Sequence, residues 1–279
     1  MLRSLLNPLI PPIAIEGLKA SLDFYQAFGL RSLLARNTRH LNSASNSGVF
    51  IIANGPSLNR FDLSLLERDQ IPAITCNYFR LHPISGKLTI VAHCVGEPIE
   101  NNDPSAVLDC ISGVSAHSFW LHCSAKDHIP FDLRDRCYFY RPSRSSVTPR
   151  LSRYSLALPA LPYQSTPQMS IAIALYMGYK NIYLIGFDHD WLATRGHSQH
   201  FYDPKDKPSS DVPPSDLSVF SYSQMIEISG RLFHYYSLIH EAAHALDARI
   251  FNATPNSFLD VFPFKAYVEC HSEASRTPS

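Results

Sequence analysis

No stretch of this sequence approaches about 18 uninterrupted apolar residues, so a membrane-spanning helix is excluded. Charge is sparse and balanced: basic and acidic side chains number 24 each, 17% of residues are charged, and the formal net charge is +0. That balance gives no global attraction to polyanions, which removes nucleic acid as a default partner. The six cysteines (Cys76, Cys94, Cys110, Cys123, Cys137, Cys270) contain no CxxC pair and no metal-ligand spacing. The start, Met1 to Ile10, reads poorly as an export signal, because prolines interrupt its short apolar run and no small-residue cleavage site follows. Free thiols in a reducing compartment are therefore expected rather than a disulfide framework. The sequence also lacks internal repeats, low-complexity blocks, a GxGxxG fingerprint and a Walker loop. What it does hold is 45% hydrophobic residues, 14 Tyr, 16 Phe and 21 Pro in 279 residues. This suits a globular chain with long ordered loops and a groove lined by rings.

The patterning predicts an α/β fold. Residues 13–36 carry helical spacing through Ile15, Leu18, Leu22, Tyr25, Phe28, Leu30 and Leu34. Short apolar runs rich in β-branched residues predict strands at 48–53, 71–76, 88–92, 118–122, 181–187 and 249–252. A helix is expected near Leu63–Glu67, another from Pro167 to Met177 capped by Gly178, and a long one from Tyr222 to Ala248. Strands alternating with helices argue for a mostly parallel sheet flanked by helices. The expected organisation is an N-terminal helical extension at 1–47, a main domain at 48–267 and a flexible tail at 268–279. Within the domain, residues 188–221 read as a long polar lid loop, and residues 141–167 as an ordered loop.

Four places carry candidate chemistry. Asn54-Gly55-Pro56-Ser57 follows the first strand, where ligands of open α/β sheets bind, and Gly55 admits close backbone approach. A plain strand-to-helix turn fits the same residues. Asp188-His189-Asp190 follows the most apolar strand; its carboxylates suit hydrogen-bond acceptance or a shared divalent cation. His197, His200 and Tyr202 lie in the long loop, as a general base and phosphate donors or as solvated surface. His240-Glu241-Ala242-Ala243-His244 is a literal HExxH on a helix, the spacing of a zinc peptidase. It sits near the helix C-terminus and on the flank of the core stripe. The nearby downstream carboxylates for a third ligand are Glu269 and Glu273.

Three blocks together carry a resemblance. Phe50-Ile-Ile-Ala-Asn-Gly-Pro-Ser-Leu58 with Asp62 to Leu65 and Cys76-Asn77 resembles the amino-terminal signature of bacterial family 42 sialyltransferases. Ser165-Thr166 with Gly178 to Asp188 resembles their central helix–strand unit, and Asn252 to Ser257 their closing strand and Pro-Asn-Ser turn. Gly186-Phe-Asp-His189, His200-Phe201 and Asn252-Ala-Thr254 are also similar to the MptE-like proteins, which include a pterin diphosphokinase.

The sialyltransferase resemblance implies that 48–267 is a Rossmann-like α/β catalytic domain, a GT-A-variant glycosyltransferase binding a CMP-activated acid sugar. It implies Asn54, Gly55 and Ser57 at the nucleotide, Asn77 by the donor sugar, and Thr166 near the donor carboxylate or cytidine. The remaining nucleotide-sugar positions are His189, Asp190 and Tyr202. The catalytic base is His200 or His234, with Asp188 in the catalytic set; alignment puts Gly230 where the family has its histidine, with His234 one turn on. Asp190 stands where the family has a phosphate-binding Tyr and would repel phosphate unless protonated or bridged by metal. No cofactor is expected, with Mg²⁺ at Asp188 and Asp190 the alternative.

The implied partners are the CMP-sugar and an oligosaccharide or lipid-linked acceptor of a bacterial surface glycan. The implied location is cytoplasmic, or the inner face of the inner membrane through peripheral association. Three other readings stay open: an MptE-like Mg²⁺-dependent diphosphokinase, the zinc metallopeptidase, and a degenerate accessory protein that binds glycan without turnover.

Overall fold

The computed structural model describes residues 11–44, 48–96, 98–99, 103–143, 156–157, 162–193, 200–203 and 220–276. Its centre is one seven-stranded sheet: β1 (Gly48–Ile52), β2 (Ala73–Cys76), β3 (Ile90–Val95), β4 (Phe119–His122), β5 (Cys137–Tyr140), β6 (Asn181–Ile185) and β7 (Arg249–Asn252). Every pairing is parallel, and the order is β5-β4-β3-β2-β1-β6-β7. The chain steps outward from β1 to β5, then returns to lay β6 on the other side of β1. Neighbouring loops therefore leave β1 and β6 towards opposite faces, and a crevice opens between them.

Both faces of the sheet are covered, which explains why its strands are apolar throughout rather than alternating. Val49 and Ile51 of β1 enter one core and Phe50 and Ile52 the other, all at 0% exposure. Burial on that scale contributes about 1.5–3 kcal/mol per side chain. The helices are α1 (Pro12–Gly29), α2 (Arg31–Ala35), α3 (Ser64–Arg68), α4 (Ser105–Ile111), α5 (Thr166–Met177), α6 (Tyr222–Ala245) and α7 (Tyr267–Ala274). Helix α5 is apolar nearly all round because it is sandwiched between the sheet and α6; it ends at Gly178 in the left-handed conformation, φ +93°. Gln168 ties its first turn down: the side-chain oxygen accepts from the Gln164 and Ser165 amides, and its amide donates to the Leu232 carbonyl of α6.

Three sequence expectations change. Strand β5 was not anticipated, since four residues against an Arg-rich stretch give too short an apolar run. The chain after Tyr267, expected to fray, forms α7, because Cys270 is buried against the sheet and the Tyr183 hydroxyl donates to Glu273. On α6, Tyr236 rather than Tyr235 is buried. Most of the expected lid, 194–199 and 204–219, and most of the expected loop at 141–167 lie outside the described residues. All six cysteines are free and buried. Among the described residues no helix is long and apolar enough to cross a membrane.

Candidate nucleotide-sugar site

A cleft of about 510 Å³ lies over the carboxyl ends of the strands. Its floor comes from residues within two positions of the ends of four adjacent strands: Asn54 after β1, Asn77 after β2, Gly96 after β3 and Gly186 after β6. The amino-terminal end of α5, Ser165 and Thr166, forms another wall. That end carries the positive pole of the helix dipole, which favours an anion there.

Glycine is obligatory at the point where the loops of β1 and β6 cross. The Gly55 amide donates to the Gly186 carbonyl at 3.0 Å. A Cβ on Gly55 would stand 1.9 Å from the Asp188 carboxylate and 2.4 Å from the Gly186 oxygen. Gly186 itself has φ +75°, and a Cβ there would stand 2.4 Å from the Ala53 oxygen. Asp188 fastens the same crossing. The Ser57 amide donates to its Oδ1 at 3.1 Å and the Ser57 hydroxyl to its Oδ2 at 2.8 Å. Partial burial raises the Asp188 carboxyl above the ordinary range, the charge of Asp190 pushes the same way, and the Ser57 bonds pull against both.

The polar side chains of the floor are oriented by their neighbours. Asn54 donates to the Cys76 carbonyl at 3.1 Å, which fixes its amide and leaves Oδ1 as a buried acceptor with no partner among the described residues. Asn77, at φ +47°, accepts from the Gly96 amide and donates to the Thr166 hydroxyl at 3.2 Å. This clamp links β2, β3 and α5 and leaves no room for a side chain at 96, where a Cβ would meet the Thr166 hydroxyl at 2.0 Å.

The remaining wall is aromatic. His189, at φ +54°, lies with Nε2 2.9 Å from the Tyr236 hydroxyl and its ring 4.8 Å from Trp191. Burial lowers its pKa to about 3, so the imidazole is neutral at ordinary pH. The segment 200–203 is pinned over the β1 loop: the Phe201 amide donates to the Asn54 carbonyl at 2.9 Å, and Asn59 donates to the Phe201 carbonyl. His200 stacks on Tyr202 with centroids 4.9 Å apart, and both face the cleft.

The structure thus brings together Asn54, Gly55, Asn77, Thr166, Asp188, His189, Asp190, His200 and Tyr202 as cleft lining, with Ser57 bonded behind them. His234 is not among them. It lies exposed on α6, on a face turned away from the sheet, so of the two candidate bases only His200 lines the cleft. His197 lies outside the described residues. Sequence reasoning passed over Gly96, Tyr78, Tyr163 and Trp191, and quoted Gly186 within a motif without giving it a place in the site. The two glycines were discoverable as the residues that end parallel strands; the rings carried no local signal.

The HExxH residues lie elsewhere. His240 and His244 approach to 2.7 Å between Nε2 atoms beside a separate, mostly apolar pocket of about 240 Å³, and Glu241 is exposed. Among the described residues no group of three or more His, Cys, Asp or Glu is arranged to hold a metal ion, so Glu269 and Glu273 do not complete this pair.

No family model matches the chain, and no curated protein matches it in sequence. Among solved structures it is similar to the MAf glycosyltransferase from Magnetospirillum magneticum AMB-1, at 14% identity and a TM-score of 0.48. The likeness covers 88% of this chain, which spans 40% of the length of that protein.

Proposed function

We propose that the protein is a glycosyltransferase that takes a sialic or related ulosonic acid from a CMP donor and passes it to a saccharide hydroxyl. The acceptor is an oligosaccharide or a lipid-linked precursor of a bacterial surface glycan. One observation carries the reading: segments far apart in sequence line a single cleft at the point where the strand order reverses, the place where open α/β sheets take nucleotides. A volume of about 510 Å³ suits a ligand of nucleotide-sugar size.

In this reading the donor's anionic groups lie towards the start of α5. The buried Asn54 oxygen is an acceptor, so it meets a ribose hydroxyl or an amino group and not a phosphate oxygen. The acceptor hydroxyl attacks the anomeric carbon, the bond from that carbon to the phosphate oxygen breaks, and CMP departs with the electron pair. His200 removes the hydroxyl proton. Asp188 spends both oxygens on Ser57, which makes it a tether first and a cation ligand second. Mg²⁺ needs only one or two carboxylates when phosphate supplies the rest, so the Asp188–Asp190 pair still fits a cation delivered with the nucleotide.

Calorimetry with CMP, CMP-sialic acid and ATP, with and without EDTA, tests the proposal. Cytidine nucleotides should bind in preference to ATP. His200→Gln should lower turnover about 10²–10⁴-fold while leaving donor binding within severalfold. No binding of any cytidine nucleotide would overturn this reading, and an Mg²⁺-dependent preference for ATP would favour the diphosphokinase.

A further inference from the structure

Helix α1 is amphipathic the wrong way round for a core helix. Its polar side faces the protein: Asp23 is buried and accepts from the Ser143 hydroxyl at 2.9 Å, and Gln26 accepts from Arg141. Its large apolar side chains face outward. Leu18, Leu22 and Tyr25 form one line at spacings of four and three, and Phe24 and Phe28 the adjacent line. Tyr25 is 78% exposed, Phe24 70%, and Leu18 and Phe28 62% each. The next segment holds this helix firmly: Leu34 and Asn37 are fully buried, and Asn37 donates to the Phe139 and Leu156 carbonyls. A contiguous apolar face of this size on a fixed element marks a docking surface.

Charge selects the occupant. Among residues 11–44, Glu16 pairs with Lys19 and Asp23 is buried, so no carboxylate there is exposed, whereas Arg31 and Arg39 are. The Arg31 guanidinium stands 4.7 Å from the Phe28 ring centre, at the edge of the apolar face. A second copy seated on this face would bring two arginine rims together with no exposed carboxylate from either extension to meet them. An anionic bilayer satisfies both features, taking the rings into its interface and the guanidinium groups among its headgroups.

We infer that α1 docks the protein peripherally on anionic lipid through Leu18, Leu22, Phe24, Tyr25 and Phe28, with Arg31 and Arg39 at the headgroups. Its polar contacts, Arg141 and Ser143, follow the carboxyl end of β5, the same end of the sheet that carries the cleft. This inference does not depend on which ligand the cleft takes.

Co-sedimentation of the full chain with vesicles tests it, using phosphatidylcholine alone and phosphatidylcholine mixed with phosphatidylglycerol. The wild type should pellet with the mixed vesicles, less so as NaCl is raised, and weakly with the neutral ones. Phe24→Ser with Phe28→Ser should reduce binding to mixed vesicles by roughly tenfold or more. Arg31→Glu with Arg39→Glu should bring it down to the neutral-vesicle level. Both variants alter exposed side chains and should keep the wild-type circular dichroism melt and nucleotide binding. Absence of binding to either vesicle, or a dimer in light scattering that the serine variant dissociates, would overturn the inference.

Discussion

Acidifying the protein from pH 6.5 to about 4 is expected to remove on the order of 5 kcal/mol of folding stability. Two buried imidazoles are responsible. His93 on β3 is fully buried with Nδ1 2.8 Å from the Thr75 hydroxyl, and burial lowers its pKa to about 4. His189 is held near 3 by the same cause. Both bind protons less readily when folded than when unfolded. Between pH 6.5 and their folded values the unfolded chain therefore holds the extra protons, and stability falls as pH falls, by about 1.4 kcal/mol per unit for each histidine. Above pH 6.5 their contribution is complete.

Asp188 acts in the opposite sense. Its raised carboxyl takes up a proton more readily in the folded state, which returns a smaller part of the loss on acidification. Urea denaturation across this pH range should show the slope, and His189→Phe, set among Phe187, Trp191 and Tyr236, should roughly halve it. A stability independent of pH between 4 and 6.5 would refute the assignment of neutral buried imidazoles.

Gly186→Ala is expected to cost about 3 kcal/mol and to abolish ligand binding in the cleft. Two penalties act at once. A non-glycine residue at φ +75° is strained, and its Cβ meets the Ala53 carbonyl, part of the backbone, at 2.4 Å. Relief requires moving the end of β1 away from the end of β6, which breaks the Gly55–Gly186 bond and the Ser57–Asp188 tether. Gly113→Ala provides the control. Gly113 has φ +73° but open space around it, so strain alone applies, at about 1 kcal/mol. Urea melts and calorimetry on both variants measure the difference; equal losses would show that the close approach at 186 is not what the fold depends on.

The sheet was legible because its strands are buried on both faces. Gly48 to Ile52 and Asn181 to Ile185 are continuous apolar runs bounded by polar and glycine residues, and no helix of that length fits them. The site was legible through a corollary: polar residues directly after such runs have nowhere to go but the rim, which is where Asn54, Asn77 and Asp188 lie. What escaped was whatever depends on packing between distant segments. Periodicity identified Leu18, Leu22 and Tyr25 as sharing a face but could not say that the face turns outward, because that is decided by Asp23 finding Ser143. Cys270 gave no hint that it would anchor a helix. His234 and His200 were equivalent as histidines; the pinning of Phe201 to Asn54 sets His200 at the cleft, while His234 stands on the outer face of α6.

The tether between Ser57 and Asp188 joins positions 131 apart in the chain. Strands β1 to β5 can pair with one another as soon as they are available, but β1 then has an open flank until β6 arrives. Closing so long a span is entropically expensive and kinetically slow, and the rewards come together when it closes. The ligand cleft is thus not an early feature that later elements decorate. It comes into being only when the returning half of the polypeptide meets the first, so occupancy of the pocket reports a completed molecule, and a bound ligand holds the two halves together by mass action.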